Sequence, residues 1–427
     1  MSWLVRVEIR ALVRGLVSAI ALAACAAFSA HAQNYRPVAI ASFNLAWAGT
    51  VADYERHVAV CNAPEVNWCD SRINNRLNSR PNNRTSDRDG KGNTAELARA
   101  QRCQQATQAA AGGATAALLV APCNAYQASG AQATRANYLQ KLQGLRATVD
   151  QLISQDKVRV IAFQELRSKE ALAEILGKHA AQFDVCVATH RAFQTLGFAW
   201  DKSLSSAPGV CTTYEPLGIP EPNAGGTLTR RMRPGLALAL RVSGEPITFM
   251  NLHLKSACAS LLNSRAFKGR TLDDPLDACE TLNQQVAPLE NWIEAIAKTS
   301  PRLVLLGDFN RRIDEEAAAA VAPAQVRTNG SNPAGPNPID AQGKVATRYL
   351  WQELSDGSPT LHQLPLATDQ PSTCKGFAGL DHIVISDALR QRQGTSVPNA
   401  RKTGVQSQPQ QVIQTSDHCP TVGVLKL

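Results

Sequence analysis

The chain has 427 residues, a formal net charge of +9 and 44% hydrophobic residues, with 27 Gly and 23 Pro. This composition excludes a disordered, collagen-like or coiled-coil protein. The positive balance favours anionic partners without fixing fold or activity.

Residues 1–32 read as a signal peptide. Arg6, Arg10 and Arg14 form a basic start, Gly15 to Phe28 is an uncharged apolar run, and Ala30-His31-Ala32 is a small-x-small cleavage site. The run is too short for a comfortable membrane span and no later stretch approaches it, so no stable membrane anchor is expected. The expectation is export to the periplasm or the exterior, with a single catalytic domain over 33–427. Ten cysteines follow residue 32, an even number that suits five disulfides in an exported protein. Pairing of sequence neighbours predicts 61–69, 103–123, 186–211, 258–279 and 374–419. Zinc is disfavoured, because no C-x-x-C pair occurs.

Short apolar runs at 38–45, 158–166, 183–189, 236–242, 247–254, 303–307, 380–386 and 421–427 do not alternate cleanly. They predict strands buried on both faces. Leu142, Leu145, Val149 and Leu152 keep a helical spacing, as do 171–180 and 282–299, where Pro288 should start or kink the helix. Strands mixed with helices predict α/β layers. Residues 48–135 differ, being rich in Asn, Arg, Gln and Ala with four Cys, and read as an insertion. Within it, residues 71–91 hold five Arg and one Lys against two Asp. Arg72, Arg76, Arg80, Arg84 and Arg88 recur every fourth residue. The plain reading is a solvated loop. The sharper one makes Arg76, Arg80 and Arg84 a clamp on a polyanion. Asp87, Asp89, Gly90, Asn93 and Glu96 are spaced loosely like a calcium loop. The first ligand would be Thr85, which has no carboxylate, so Ca²⁺ is a secondary expectation.

Four of the runs end in polar side chains. They lead to Asn44, Glu165, His253, and Asp308 with Asn310. Ligand sites in layered α/β folds gather beyond strand ends, so these tips should converge on one rim. In an extended strand, i and i+2 share a face, which would align Asn251, His253 and Lys255, and likewise Asp308 and Asn310. An amide, an imidazole and an ammonium on one face suit a phosphate diester. Asp381 and the pair Asp417-His418 offer a carboxylate that could orient an imidazole.

The segments ASFNL (41–45), FQEL (163–166), NLHLKS (251–256), GDFN (307–310), LDHI (380–383) and SDH (416–418) occur in this order. Together the set resembles the endonuclease/exonuclease/phosphatase superfamily. The resemblance implies a four-layer α/β sandwich with two packed, largely antiparallel sheets and helices outside. It also implies Glu165 as the main metal-binding carboxylate, with Asn44 and Asp417 beside the metal. Asp308 and Asn310 would position water and a phosphate oxygen. His418 would contact the scissile phosphate, oriented by Asp381, and His253 would be a second histidine with Lys255 adding charge. A hard divalent ion, Mg²⁺ or Mn²⁺, would neutralise an anionic diester and stabilise the developing oxyanion during attack by water. Either Asp308 or His418 could be the base. Ala46 stands where some relatives carry a second carboxylate, which argues against a second metal there.

The reading that follows is an exported metal-dependent phosphodiesterase, a nuclease of low sequence specificity with DNA or RNA as substrate. Two alternatives use the same scaffold. One is a sphingomyelinase-like enzyme or a hydrolase of inositol or other small phosphates. The other is an inactive secreted binding protein.

Overall fold

The computed structural model describes residues 35–69, 92–123, 125–126, 134–220, 231–260, 278–318, 350–355, 358–367, 379–405 and 411–427. Arg76, Arg80, Arg84 and, of the calcium-like loop, Thr85, Asp87, Asp89 and Gly90 lie outside these residues, as does the N-terminal segment read as a signal peptide. The strands are β1 (Pro37–Ala48), β2 (Val158–Leu166), β3 (Phe183–Val187), β4 (Thr195–Asp201), β5 (Val210–Tyr214), β6 (Gly235–Val242), β7 (Glu245–His253), β8 (Leu303–Asp308), β9 (Leu361–Gln363), β10 (Asp381–Ser386), β11 (Arg401–Lys402) and β12 (Thr421–Lys426). They form two six-stranded sheets, ordered β11-β12-β1-β2-β4-β3 and β5-β6-β7-β8-β10-β9. Pairing is antiparallel except for β1 with β2 and β7 with β8. Those two parallel pairs need long crossovers, and the helical segments supply them. The expected two-sheet α/β sandwich is therefore present.

Both faces of the central strands are covered, which is why the apolar runs do not alternate. Ile40, Val160, Phe198, Leu238, Phe249, Val304 and Ile383 meet between the sheets. On the outer face of the first sheet, Ala41, Phe43, Ile161 and Phe163 pack against Tyr138, Leu142, Leu145 and Val149. Those residues lie on a helix, Arg135–Ser154, that starts with a Thr134–Asn137 capping box. On the outer face of the second sheet, Met250, Leu252, Leu303 and Leu305 pack against Leu282, Val286 and Leu289 of the helix Ala278–Ala297. Each fully buried aliphatic or aromatic side chain contributes roughly 1.5–3 kcal/mol by area. Pro288 lies inside that last helix, not at its start.

Each strand expected from sequence forms within a few residues of its predicted bounds. β4, β5, β9 and β11 were not anticipated. β4 carries Gly197 and Thr195 where an apolar run was sought, β5 is a sheet edge with exposed side chains, and β9 and β11 have three and two residues.

The insertion is more structured than its composition implied. It contains helices Val51–Cys61 and Gly92–Ala111. Its disulfides correct the neighbour pairing, since Cys61 bonds Cys123 and Cys69 bonds Cys103, with Cα–Cα distances of 5.4 and 5.5 Å. The two helices fold back on one another, so the bridges nest and do not run in series. Cys186–Cys211 and Cys258–Cys279 form as expected. Cys419 is disulfide-bonded, and Cys374, its expected partner, lies outside the described residues.

Candidate functional site

Strand parity positions most of the polar residues. Between the sheets, β1 presents Val38 and Ile40, β2 Val160 and Ala162, β7 Ile247 and Phe249, β8 Val304 and Leu306, and β10 Ile383 and Ile385. Continuing by twos leads to Ser42 and Asn44, Gln164, Asn251 and His253, Asp308, and back to Asp381. The inter-sheet layer thus changes from apolar to polar at one end.

Glu165 breaks this parity. Asn44 pairs with Gln164 and Ala48 with Leu166, so three residues of β1 face one of β2. Ala46, Trp47 and Glu165 sit at φ of 48°, 69° and 56°. This bulge re-aims Glu165, since a regular strand would send it towards the helices. Left-handed backbone at non-glycine residues costs of order 1–3 kcal/mol each, and such strain gathers at functional sites. Gly307 serves the same rim. Its φ is 148°, and a Cβ there would lie 2.1 Å from the Leu252 carbonyl oxygen, so only glycine lets β8 approach β7 at this point.

His253 Nε2 lies 3.6 Å from Glu165 Oε1 and 3.5 Å from Asp308 Oδ2. Burial drives the His253 imidazole well below its usual range, reinforced by the charge of Arg233, so the ring is neutral. Asp308 accepts hydrogen bonds from the Asn44 amide at 3.1 Å and from the Asn310 backbone N–H at 2.8 Å. Burial pushes Asp308 up to about 6, against the opposing charge of His418. Burial likewise pushes Glu165 up to about 7, with Asp417 adding to the rise. Among the described residues, no group donates a hydrogen bond to the Glu165 carboxylate.

The opposite flank is built differently. His418 Nδ1 lies 3.0 Å from Asp381 Oδ2, and Lys402 Nζ donates to the same oxygen at 2.8 Å. Burial alone would lower His418, but Asp381 outweighs it and the imidazole rises to about 10. Burial alone would raise Asp381, but Lys402 and His418 hold it well below the carboxylate range. His418 Nε2 faces Asp308 Oδ2 at 3.8 Å. Asp308, Asp381 and His418 each offer a ligand atom within 4.8 Å of the others, a buried group able to hold a metal.

Four expectations need correction or qualification. Asn251 shares its strand face with His253 but sits one step deeper and is fully buried. Its Nδ2 donates to the Phe163 and Gly197 carbonyls and its Oδ1 accepts from Gln164, so it bridges the sheets and has nothing left for substrate. Asn310 lies past the end of β8 at φ 51°, so the i, i+2 rule does not extend to it, and its Nδ2 donates to the Leu254 carbonyl. Lys255 lies beyond β7, its backbone N–H held by Gln285. Asp417 is exposed and its charge reaches Glu165.

Sequence reading missed Lys402 and Lys141. Lys402 follows an irregular stretch and leaves no pattern. Lys141 did leave one, as a lone charge in the apolar stripe between Tyr138 and Leu145. Its buried Nζ donates to the Leu45 carbonyl at 2.8 Å and the Thr415 carbonyl at 2.7 Å. Ser416, the next residue, donates to the Asn44 carbonyl and accepts from the His418 N–H. Lys141 and Ser416 therefore fasten the end of β1 to the loop that carries Asp417 and His418.

No family model and no curated protein matches the sequence. Similar solved structures include an endonuclease/exonuclease/phosphatase from Bacteroides vulgatus, at 12% identity and TM-score 0.40, over 69% of this chain and 94% of that one. A truncated TDP2 from Caenorhabditis elegans has 13% identity and TM-score 0.39, over 67% and 91%. The human Nocturnin catalytic domain has 12% identity and TM-score 0.36, over 67% and 86%. At such values no activity passes from these proteins to this chain. In its ordered motifs and in the two-sheet sandwich they fold into, the chain resembles the endonuclease/exonuclease/phosphatase superfamily.

Proposed function

We propose that the chain is a metal-dependent phosphodiesterase, a nuclease of low sequence specificity. The observation that carries this reading is Glu165, a largely buried carboxylate turned by a bulge towards His253 and Asp308, with no donor of its own. Two carboxylates that burial drives towards neutrality are costly unless a cation joins them. The oxygen donors fit a hard divalent ion, Mg²⁺ or Mn²⁺, held by Glu165 with Asp417 and the Asn44 amide at its flank. The Asp308–Asp381–His418 group is the weaker cation site, because Asp381 already has two cationic partners in Lys402 and His418. When bound, the ion neutralises phosphate charge and stabilises the oxyanion.

The chain's own groups supply the rest. Asp308, with both oxygens pinned by Asn44 and Asn310, orients the attacking water and takes its proton. His418, kept protonated by Asp381, offers Nε2–H to a non-bridging phosphate oxygen and is therefore not the base. His253, neutral and flanked by carboxylates, carries its proton on Nε2 and holds Glu165 and Asp308 in register. The water oxygen bonds phosphorus, the P–O ester bond breaks, and the leaving oxygen takes a proton from solvent. The test is a panel of DNA, RNA, sphingomyelin vesicles and inositol phosphates, each with Mg²⁺ or EDTA. Cleavage of nucleic acid that stops with EDTA is the expected result. Turnover untouched by the chelator would refute the metal mechanism.

A further inference from the structure

The two sheets run in the same lateral order across the rim. β12, β1, β2 and β4 of one sheet lie over β10, β8, β7 and β6 of the other. Asp381 and His418 therefore occupy one flank, and Glu165 and His253 the middle. The flank beyond them holds the β3–β4 loop, the residues after β2 and those before β6. Four basic side chains belong to these segments and act on one another through charge. His190 feels the charges of Arg233, Arg231 and Arg167. Arg233 ties this group to the centre, donating to the His253 carbonyl at 3.2 Å and adding its charge at Glu165. Among the described residues neither Arg167 nor Arg231 forms an ion pair. Two polar atoms in the group, His190 Nε2 and Arg167 Nε, are buried without a hydrogen-bond partner. Burial, with the three guanidinium charges, drives the His190 imidazole down to about 4, so the ring is neutral and free to donate or accept.

An aromatic platform borders the cluster. Trp47, on the β1 bulge and partly buried against the helix-side core, stacks on Phe193 with ring centroids 4.5 Å apart and planes 10° from parallel. Both rings are half-buried, and Phe193 lies three residues after His190. Concentrated guanidinium charge matches phosphate geometry, and exposed aromatic faces bind bases of any sequence.

We propose that this flank is a subsite for the nucleotide next to the scissile bond of a nucleic-acid strand, its phosphate on Arg167, Arg231 and His190 and its base against the Trp47–Phe193 pair. The subsite rests on the phosphodiesterase reading and supplies its substrate class. Both features are needed for the choice. Cations alone would suit any phosphate, and a stacking face beside them selects a strand with bases over a lipid headgroup.

The test separates binding from turnover. Binding of a labelled single-stranded oligonucleotide is measured in EDTA by fluorescence anisotropy. Hydrolysis of bis(p-nitrophenyl) phosphate, which reaches no neighbouring subsite, is measured with Mg²⁺. The Arg167→Gln/Arg231→Gln variant should weaken oligonucleotide binding and lower the salt slope by about 0.7, the value for one lost phosphate contact on a single strand. Phe193→Ala should weaken binding about tenfold, the scale of one lost stacked base, and leave the slope unchanged. Hydrolysis of the small diester should stay within about twofold in both, because neither variant touches the reacting groups. Unchanged oligonucleotide affinity, or an equal fall on the small diester, overturns the subsite. Tight binding to anionic vesicles with none to the oligonucleotide overturns it in favour of lipid. A wild type that binds the strand but hydrolyses neither substrate overturns the phosphodiesterase reading and leaves the binding subsite standing.

Discussion

Two flanks of one rim bury carboxylates in opposite ways. On the Asp381 side, every charge has a partner. Lys402 and His418 both bond the carboxylate, which is held ionised while the imidazole rises to about 10. On the Glu165 side, the adjacent histidine is neutral, the charges of His418 and Arg233 act without a hydrogen bond to the carboxylate, and burial with Asp417 carries it up to about 7. Burial is similar, so compensation makes the difference. A compensated cluster is set to hold a proton. An uncompensated one is set to receive a cation.

The sharpest way to break this contrast is to remove one charge from each flank. Glu165→Gln and His418→Ala should each lower kcat at least about 10³-fold, since one removes the cation's carboxylate and the other the group facing the phosphate. They should differ in calorimetry, with Glu165→Gln losing metal binding and His418→Ala keeping it. Equal metal affinity in both would erase the distinction. Asp381→Asn should cost about 10²-fold at neutral pH, because His418 then loses the charge that keeps it protonated. Its alkaline limb should shift from near pH 10 towards the ordinary histidine range.

The pH profile sharpens the same point. Activity should fall on the acid side as Asp308 takes up a proton, below about pH 6 because a bound cation favours its ionised form. It should fall on the alkaline side as His418 loses its proton, at or below about pH 10 for the same reason. For stability the signs differ by group. His418 is raised on folding, so its contribution is complete below its unfolded value of 6.5 and is lost as pH climbs through about 10. Glu165 and Asp308 are raised carboxyls, so in the metal-free protein they oppose folding as pH rises through about 7 and 6. Chemical denaturation with and without metal across this range reads both effects, and metal uptake should release a proton below pH 7.

Smaller effects separate scaffold from chemistry. Lys141→Met should destabilise by about 3 kcal/mol, because it strands buried carbonyls at Leu45 and Thr415. Asn251→Ala should cost about 2 kcal/mol for the same reason at Phe163 and Gly197, with metal affinity intact. A loss of metal binding in Asn251→Ala would return that residue to the site.

Much of this was legible in the residue order. Buried strands with polar tips announced α/β layers with one functional rim, the ordered motifs implied the two packed sheets, and the strand ends grouped Asn44, Glu165, His253 and Asp308. Parity failed wherever the backbone left the regular strand. It placed Asn310 beside Asp308 on a strand that had already ended. It could not foresee that Glu165 faces the rim only because of a bulge. It also put Asn251 and His253 on one face without saying which of the two reached the end of the layer.

The amino-acid order by itself determined eight of the twelve described strands, those with apolar runs, since periodicity and apolar content are local properties that survive without neighbours. It also determined which side chains could serve at their ends. The folded arrangement alone decided the nested disulfides, the Lys402–Asp381–His418 chain and the clamp by Lys141. Each joins residues far apart in the chain through distances of a few ångströms, and no local pattern encodes such distances.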